Sequence, residues 1–257
     1  MELRDRVVVI TGASSGFGEL IARRAALQGA RLALVARSAE KLERLAAELG
    51  GPDRAFVVPT DVTSENAVAS MGQRILEHYG RVDVLLNNAG FGVLDRLVDA
   101  KLTDLQAMVD VNLYGVLRCT NVFLPHMLAR RAGQIVNMAS MAGMMANPNM
   151  GFYTTTKHAL VGLSRSLMIE LMGTGVHCAL ICPGVAQTGF QARAGREKFS
   201  RISRLSSCTP EQVADATMRA MQRRTHGEIY VPWYNRLLAL IGYPIPGLTR
   251  FVIRNVG

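Results

Sequence analysis

Arg6-Val7-Val8-Val9-Ile10-Thr11 runs directly into Gly12-Ala13-Ser14-Ser15-Gly16-Phe17-Gly18 near the start of the chain. The first six residues are a β-branched apolar run, the pattern of a buried strand, and the glycines after them make a turn. Glu19 to Gln28 then sets Leu20, Ile21, Ala25 and Leu27 at helical spacing, and Gly29 closes that helix. The same order repeats outward from this unit. Arg31 to Ala36 reads as a strand, and Ala39 to Leu49 as a charged helix broken by Gly50-Gly51-Pro52. Further strand candidates follow at Ala55 to Pro59, Val82 to Asn87, Gln134 to Met138, Val176 to Cys182 and Gly227 to Val231, with helical stretches between them.

Strands that read as continuous apolar runs are covered on both faces, and right-handed crossovers put helices on each side of them. The expected fold class is α/β: a single Rossmann-like doubly wound domain with a seven-stranded parallel sheet. The chain has 257 residues, of which 49% are hydrophobic and 19% charged, enough to bury one large core. Disordered, collagen-like and disulfide-scaffold classes are excluded by that composition. The charged start, Met1-Glu2-Leu3-Arg4-Asp5-Arg6, is unlike a signal peptide, and a cytoplasmic protein is expected. Cys119, Cys178, Cys182 and Cys208 form no CxxC pair and read as buried thiols, and no histidine pattern points to a metal. Residues 1–257 are expected to form one domain, with 232–257 an apolar, basic extension.

The glycine turn sits where a dinucleotide pyrophosphate meets the N-terminus of a helix and its unpaired N–H groups. Gly12, Ser14, Ser15, Gly16, Phe17 and Gly18 are therefore candidate cofactor contacts. The spacing is GxxxGxG rather than the general GxGxxG, so the turn alone is a weak signal. A carboxylate at the end of the second strand would take the adenosine ribose hydroxyls and select NAD; here Ala36-Arg37 stands instead. The Arg37 guanidinium suits a 2′-phosphate, which favours NADP(H). Asp61 and Val62, just past the third strand, fall where the adenine edge would lie.

Tyr153 and Lys157 stand four residues apart, on one face of a helix. A nearby ammonium favours phenolate and makes tyrosine usable as an acid or base. Ser140 lies at the end of the apolar run Gln134 to Met138, where open α/β sheets hold their ligands.

Taken together, Thr11-Gly12 with Gly16 and Gly18, Asp61, Asn87-Asn88-Ala89-Gly90, Asn112, Ser140, Tyr153 with Lys157, and Pro183-Gly184 followed by Thr188 resemble the short-chain dehydrogenase/reductase family, over nearly the whole chain through Val231. The resemblance implies an NADP-preferring oxidoreductase that interconverts a carbonyl and an alcohol. It makes Tyr153 the general acid/base and Ser140 the group that orients the carbonyl. It makes Lys157 the residue that lowers the Tyr153 pKa and holds the nicotinamide ribose, and Asn112 the anchor of a proton-relay water. Asn88, Ala89 and Gly90 would line the adenosine and ribose side, and Pro183, Gly184, Val185 and Thr188 the nicotinamide end. Phe17 and Ala186 depart from the residues usual there, and neither touches the chemistry.

Substrate contacts are expected from Asn88 to Asp95, from Gly189 to Ser207, and from Met141 to Met150. The last has four methionines and no charge and fits either an adaptable apolar pocket or core packing. A basic lid is conceivable from Arg193, Arg196, Lys198, Arg201 and Arg204. Of the net charge of +9, +7 falls after Phe190. The segment Trp233 to Ile253 would cap the cleft, pack in a homodimer or homotetramer, or lie at a membrane surface as a peripheral contact. No nucleic-acid module is recognisable. Alternative functions are a catalytically quiet NADP-binding sensor or scaffold, and a membrane-peripheral lipid-modifying reductase.

Overall fold

The computed structural model describes residues 3–186 and 206–242. The apolar run after Arg6 is β1 (Val7–Thr11), buried along its whole length. With it stand β2 (Arg31–Ala36), β3 (Ala55–Pro59), β4 (Val84–Asn87), β5 (Gly133–Met138), β6 (Val176–Pro183) and β7 (Gly227–Val231). All seven join one sheet in the order β3-β2-β1-β4-β5-β6-β7, and every pairing is parallel. This is the expected doubly wound sheet; β4 begins at Val84 rather than at Val82.

The apolar character of both strand faces follows from two separate cores. Val8 and Ile10 of β1 pack with Leu32 and Leu34 of β2 beneath α1 (Gly16–Leu27), α2 (Ala39–Glu48) and, further along the sheet, α7 (Pro210–Arg223). Val7 and Val9 point the other way, into a cluster with Ile75 of α3 (Glu65–Tyr79) and Phe123 of α5 (Gly115–Ala129). Alternate side chains thus serve opposite layers, as the period of two requires. The four cysteines are free and buried, and burial pushes the Cys178 thiol up to about 12.

Three local features place the functional side chains. α4 (Leu102–Val109) runs into α5 through a π turn at Asp110–Tyr114. A single 3₁₀ turn, Met141–Gly143, follows β5 and leads towards α6 (Gly151–Glu170). β1 and β4 are adjacent while the chain leaves them in opposite directions, so the ends of those strands open a crevice at the topological switch point. A further helix, α8 (Asn235–Gly242), follows β7.

Candidate active site

The crevice is a cleft of about 910 Å³ at the C-terminal ends of the central strands. Gly12, Ser14, Ser15, Gly16 and Phe17 line one end of it. Gly16 has φ of 59°, and a Cβ built on it would meet no protein atom within 4 Å. Its positive φ favours glycine, and the space beside it is open. Ser15 caps α1 without a side-chain hydrogen bond, which leaves first-turn N–H groups of that helix available at the cleft. Gly18 departs from its expected role. It does not line the cleft; a Cβ there would lie 2.3 Å from the Gly12 oxygen and 2.6 Å from Asn88 Nδ2, so this glycine serves the close packing of the turn.

Asn88 fastens the turn to the neighbouring strand. Its Nδ2 donates to the Thr11 oxygen at 3.0 Å, and Thr11 Oγ1 accepts the Asn88 and Ala89 N–H groups, each at 3.0 Å. At the end of β2 the cleft is bordered by Arg37 and also by Ser38 and Lys41. Lys41 was not singled out from the sequence; it stands in the first turn of α2, while Arg37 precedes the Ser38 cap of that helix. Asp61 Oδ1 accepts from the Thr63 N–H at 2.9 Å and the Thr63 hydroxyl at 2.8 Å. Those bonds, with the Arg37 charge as a smaller contribution, hold its carboxyl below the ordinary range against the opposing effect of burial.

Ser140, Tyr153 and Lys157 meet on one wall of the same cleft. Ser140 Oγ accepts the Ala142 N–H at 3.1 Å, which fixes it as the cap of the 3₁₀ turn, and its hydroxyl is hydrogen-bonded to the Tyr153 phenol. Lys157 Nζ donates to the Met138 oxygen at 2.9 Å and lies 5.8 Å from the Tyr153 ring centroid. The expected lowering of Tyr153 by Lys157 is not what this geometry gives. Burial pushes the phenol up to about 12, with only the Ser140 bond opposing it, and burial brings Lys157 down to about 8. Desolvation outweighs a cation whose proton is held by a carbonyl on the other side.

Asn112, on the π turn, is fully buried behind the cleft wall. Its Oδ1 accepts the Phe91 N–H at 3.0 Å; its Nδ2 donates to the Phe91 oxygen at 2.9 Å and to Thr156 Oγ1 at 3.1 Å. Asn112 thus clamps the strand end that carries Gly90 to the helix that carries Lys157. Ala89, Gly90, Val62, Pro183, Gly184 and Val185 border the cleft, whereas Thr188 and the basic stretch from Arg193 to Arg204 lie outside the described residues. Of the four loop methionines, Met141 and Met150 line the cleft, while Met144 and Met145 pack away from it with Leu160 and Leu180. Pocket and core packing are both realised, and Met141 takes part in both.

Comparison with known proteins identifies the family. The family model for short chain dehydrogenase matches residues 6–198. An uncharacterized oxidoreductase of Staphylococcus epidermidis is 32% identical over 225 residues, spanning 88% of this chain and 94% of that protein. An alcohol dehydrogenase from the archaeon Thermococcus sibiricus, complexed with 5-hydroxy-NADP, superposes with a TM-score of 0.77 at 32% identity, covering 88% of this chain and 95% of that one. A 3-ketoacyl-(acyl-carrier-protein) reductase from Brucella melitensis, complexed with NADH, gives a TM-score of 0.81 at 30% identity, covering 88% and 96%. The chain belongs to the short-chain dehydrogenase family and is an NAD(P)-dependent oxidoreductase.

Proposed function

We propose that this protein is an NADPH-dependent carbonyl reductase for small apolar aldehydes or ketones, working as a single catalytic domain. The observation that carries the proposal is the meeting of Ser140 with the buried Tyr153 and Lys157 on one wall of the cleft. The cleft suits a dinucleotide: space opens where Gly16 has no side chain, a helix N-terminus adjoins it, and Arg37 and Lys41 stand at the far end with no acid at the end of β2. A phosphate on the adenosine ribose would be held by those two cations, with the Ser38 hydroxyl beside them, because charge-assisted donors favour a dianion. Asp61, Val62, Asn88, Ala89 and Gly90 would border the adenosine side, and Pro183, Gly184 and Val185 the nicotinamide side. Reduced nicotinamide, once bound, supplies the hydride that a carbonyl carbon accepts.

The chain's own residues supply position and a proton. Tyr153 donates its phenolic proton to the substrate oxygen as negative charge develops there. Ser140 donates a hydrogen bond to the same oxygen and is held for that by the Ala142 N–H. Lys157 holds a positive charge near the phenolate that results, and the phenolate then takes its proton back from solvent. Asn112 acts by keeping the Phe91 backbone and α6 in register, and a relay water would use the acceptor capacity left on its carbonyls. A phenol whose pKa stands at about 12 is protonated across the neutral range, which fits it as an acid in the direction of reduction. Phe91, Val93, Met141, Ala142 and Met150 make the substrate end apolar.

Turnover of NADPH with a panel of apolar aldehydes and ketones tests this. Tyr153→Phe should lower kcat by about 10³-fold or more while NADPH titration still quenches or enhances protein fluorescence as in the wild type. Turnover unchanged in that variant would remove Tyr153 from the chemistry. Tight NADPH binding with no turnover of any carbonyl or alcohol would instead point to a sensor or scaffold.

A further inference from the structure

The residues after β7 carry a feature that the reaction does not use. α8 has two apolar sides. Leu238 and Ala239 face inward and pack with Met141, Met144 and Tyr230, behind the turn that carries Ser140. Asn235, fully buried, ties the start of the helix down: its Nδ2 donates to the Val231 oxygen at 3.1 Å and approaches the Ser206 oxygen at 3.5 Å. Ser206 itself borders the cleft. The other side points to solvent. Trp233, Leu237 and Leu240, spaced by four and three residues, are 76%, 54% and 61% exposed, and Tyr234 stands beside Trp233 at 39%. Arg236 is exposed on the same short stretch.

Two independent properties select what this face meets. Its composition, an indole and a phenol next to aliphatic side chains, suits the boundary between headgroups and acyl chains, where amphipathic rings settle. Among the described residues of this face the one charge is Arg236. Glu228 is the last acidic residue of the chain, and Arg236, Arg250 and Arg254 follow it. A bilayer with anionic headgroups complements both, and basic residues at its surface each add to the attraction. No described helix is long and apolar enough to cross a membrane, so any such contact lies along the surface.

We propose that the patch formed by Trp233, just before α8, with Leu237 and Leu240 of α8 docks on an anionic lipid surface, setting the enzyme on a membrane beside the wall of its own cleft. An apolar carbonyl dissolved in that membrane would then reach the cleft from a short distance. The docking is independent of the reaction assigned above and is tested without it.

Trp233 is the sole tryptophan, so its emission reports this face alone. The full chain is measured with iodide quenching and with vesicles of phosphatidylcholine, pure or mixed with phosphatidylglycerol. Without lipid the emission should be red-shifted and readily quenched. Phosphatidylglycerol vesicles should shift it to the blue, protect it from iodide and co-sediment the protein, and raised salt should weaken the effect. Leu237→Ser with Leu240→Ser, both at exposed positions, should reduce vesicle affinity by about tenfold or more with the chain still folded. Emission that is already blue and shielded without lipid, and the same at every protein concentration, would mean that the chain covers this face itself and overturns the proposal. A blue shift that appears on raising protein concentration alone would assign the face to a second copy, which also overturns it. Equal binding to pure phosphatidylcholine would overturn the part that rests on charge.

Discussion

At the scale of single residues, Tyr153 and Lys157 show how burial reverses a sequence expectation. Four-residue spacing puts an ammonium near a phenol, and spacing alone favours phenolate. It carries no information about how much water both groups lose. With Tyr153 up at about 12 and Lys157 down at about 8, the reductive rate should hold through neutrality and fall as pH rises past about 8, where Lys157 gives up its charge. A profile of kcat against pH checks this; Lys157→Met should leave a low rate without that limb, and an unchanged limb would take Lys157 out of the profile. Arg37 invites a second measurement. Arg37→Asp would remove a charge-assisted donor and place a carboxylate where ribose hydroxyls can use it. KM for NADPH should rise by roughly 10- to 100-fold, the equivalent of about 1.5–3 kcal/mol, while KM for NADH falls or holds. A parallel rise for both cofactors would mean that Arg37 does not read the phosphate.

Among the elements, the strands were legible because a strand covered on both faces leaves a short, dense apolar run, and glycine marks most of its ends. The GxxxGxG turn was legible for the same local reason, except that spacing could not divide its glycines between the open cleft, where Gly16 stands, and the interior, where Gly18 supports the turn. What lay beyond the sequence is polar and long-range. Asn87 Nδ2 donates to Asn137 Oδ1 at 2.9 Å, and Asn137 Nδ2 donates to Ser164 Oγ at 2.9 Å, linking β4, β5 and α6 through a buried chain of groups. These three residues are far apart in sequence and make no pattern. The chain lies one step below Met138, whose carbonyl holds Lys157, and so supports the strand end and the helix that present the site. Ser164→Ala should leave Asn137 Nδ2 buried without its partner and cost about 1–3 kcal/mol in urea unfolding, with the slope of the transition unchanged. A loss below a few tenths of a kcal/mol would mean that another group replaces the hydroxyl.

For the whole molecule, the strong basic excess matters less to acid stability than a few groups that the fold holds in one protonation state. Asp83 is one of them. Its Oδ2 accepts the Val7 N–H at 2.9 Å and Arg81 Nε at 3.1 Å, and its Oδ1 accepts from Arg130 at 2.9 Å, joining the start of β1 to the turn before β4 and the end of α5. These bonds outweigh desolvation and hold its carboxyl below 3.8. Folding with a depressed carboxylate pKa contributes stability that is complete above the unfolded value and disappears as pH falls through the folded one. His177 acts in a higher window. Burial, then the neighbouring His226 and Arg224 charges, lower it from 6.5, so the unfolded chain takes up a proton before the native protein does. Stability should therefore begin to decline gently below about 6.5 and steeply below about 4. Asp83→Asn should cost about 2 kcal/mol at neutral pH and flatten the lower step, whereas His177→Gln should flatten the upper one and leave the lower in place. Unfolding free energies measured by urea at intervals from pH 7 to 3 separate the two, and a single step that survives both substitutions would show that the acid transition belongs to other carboxylates.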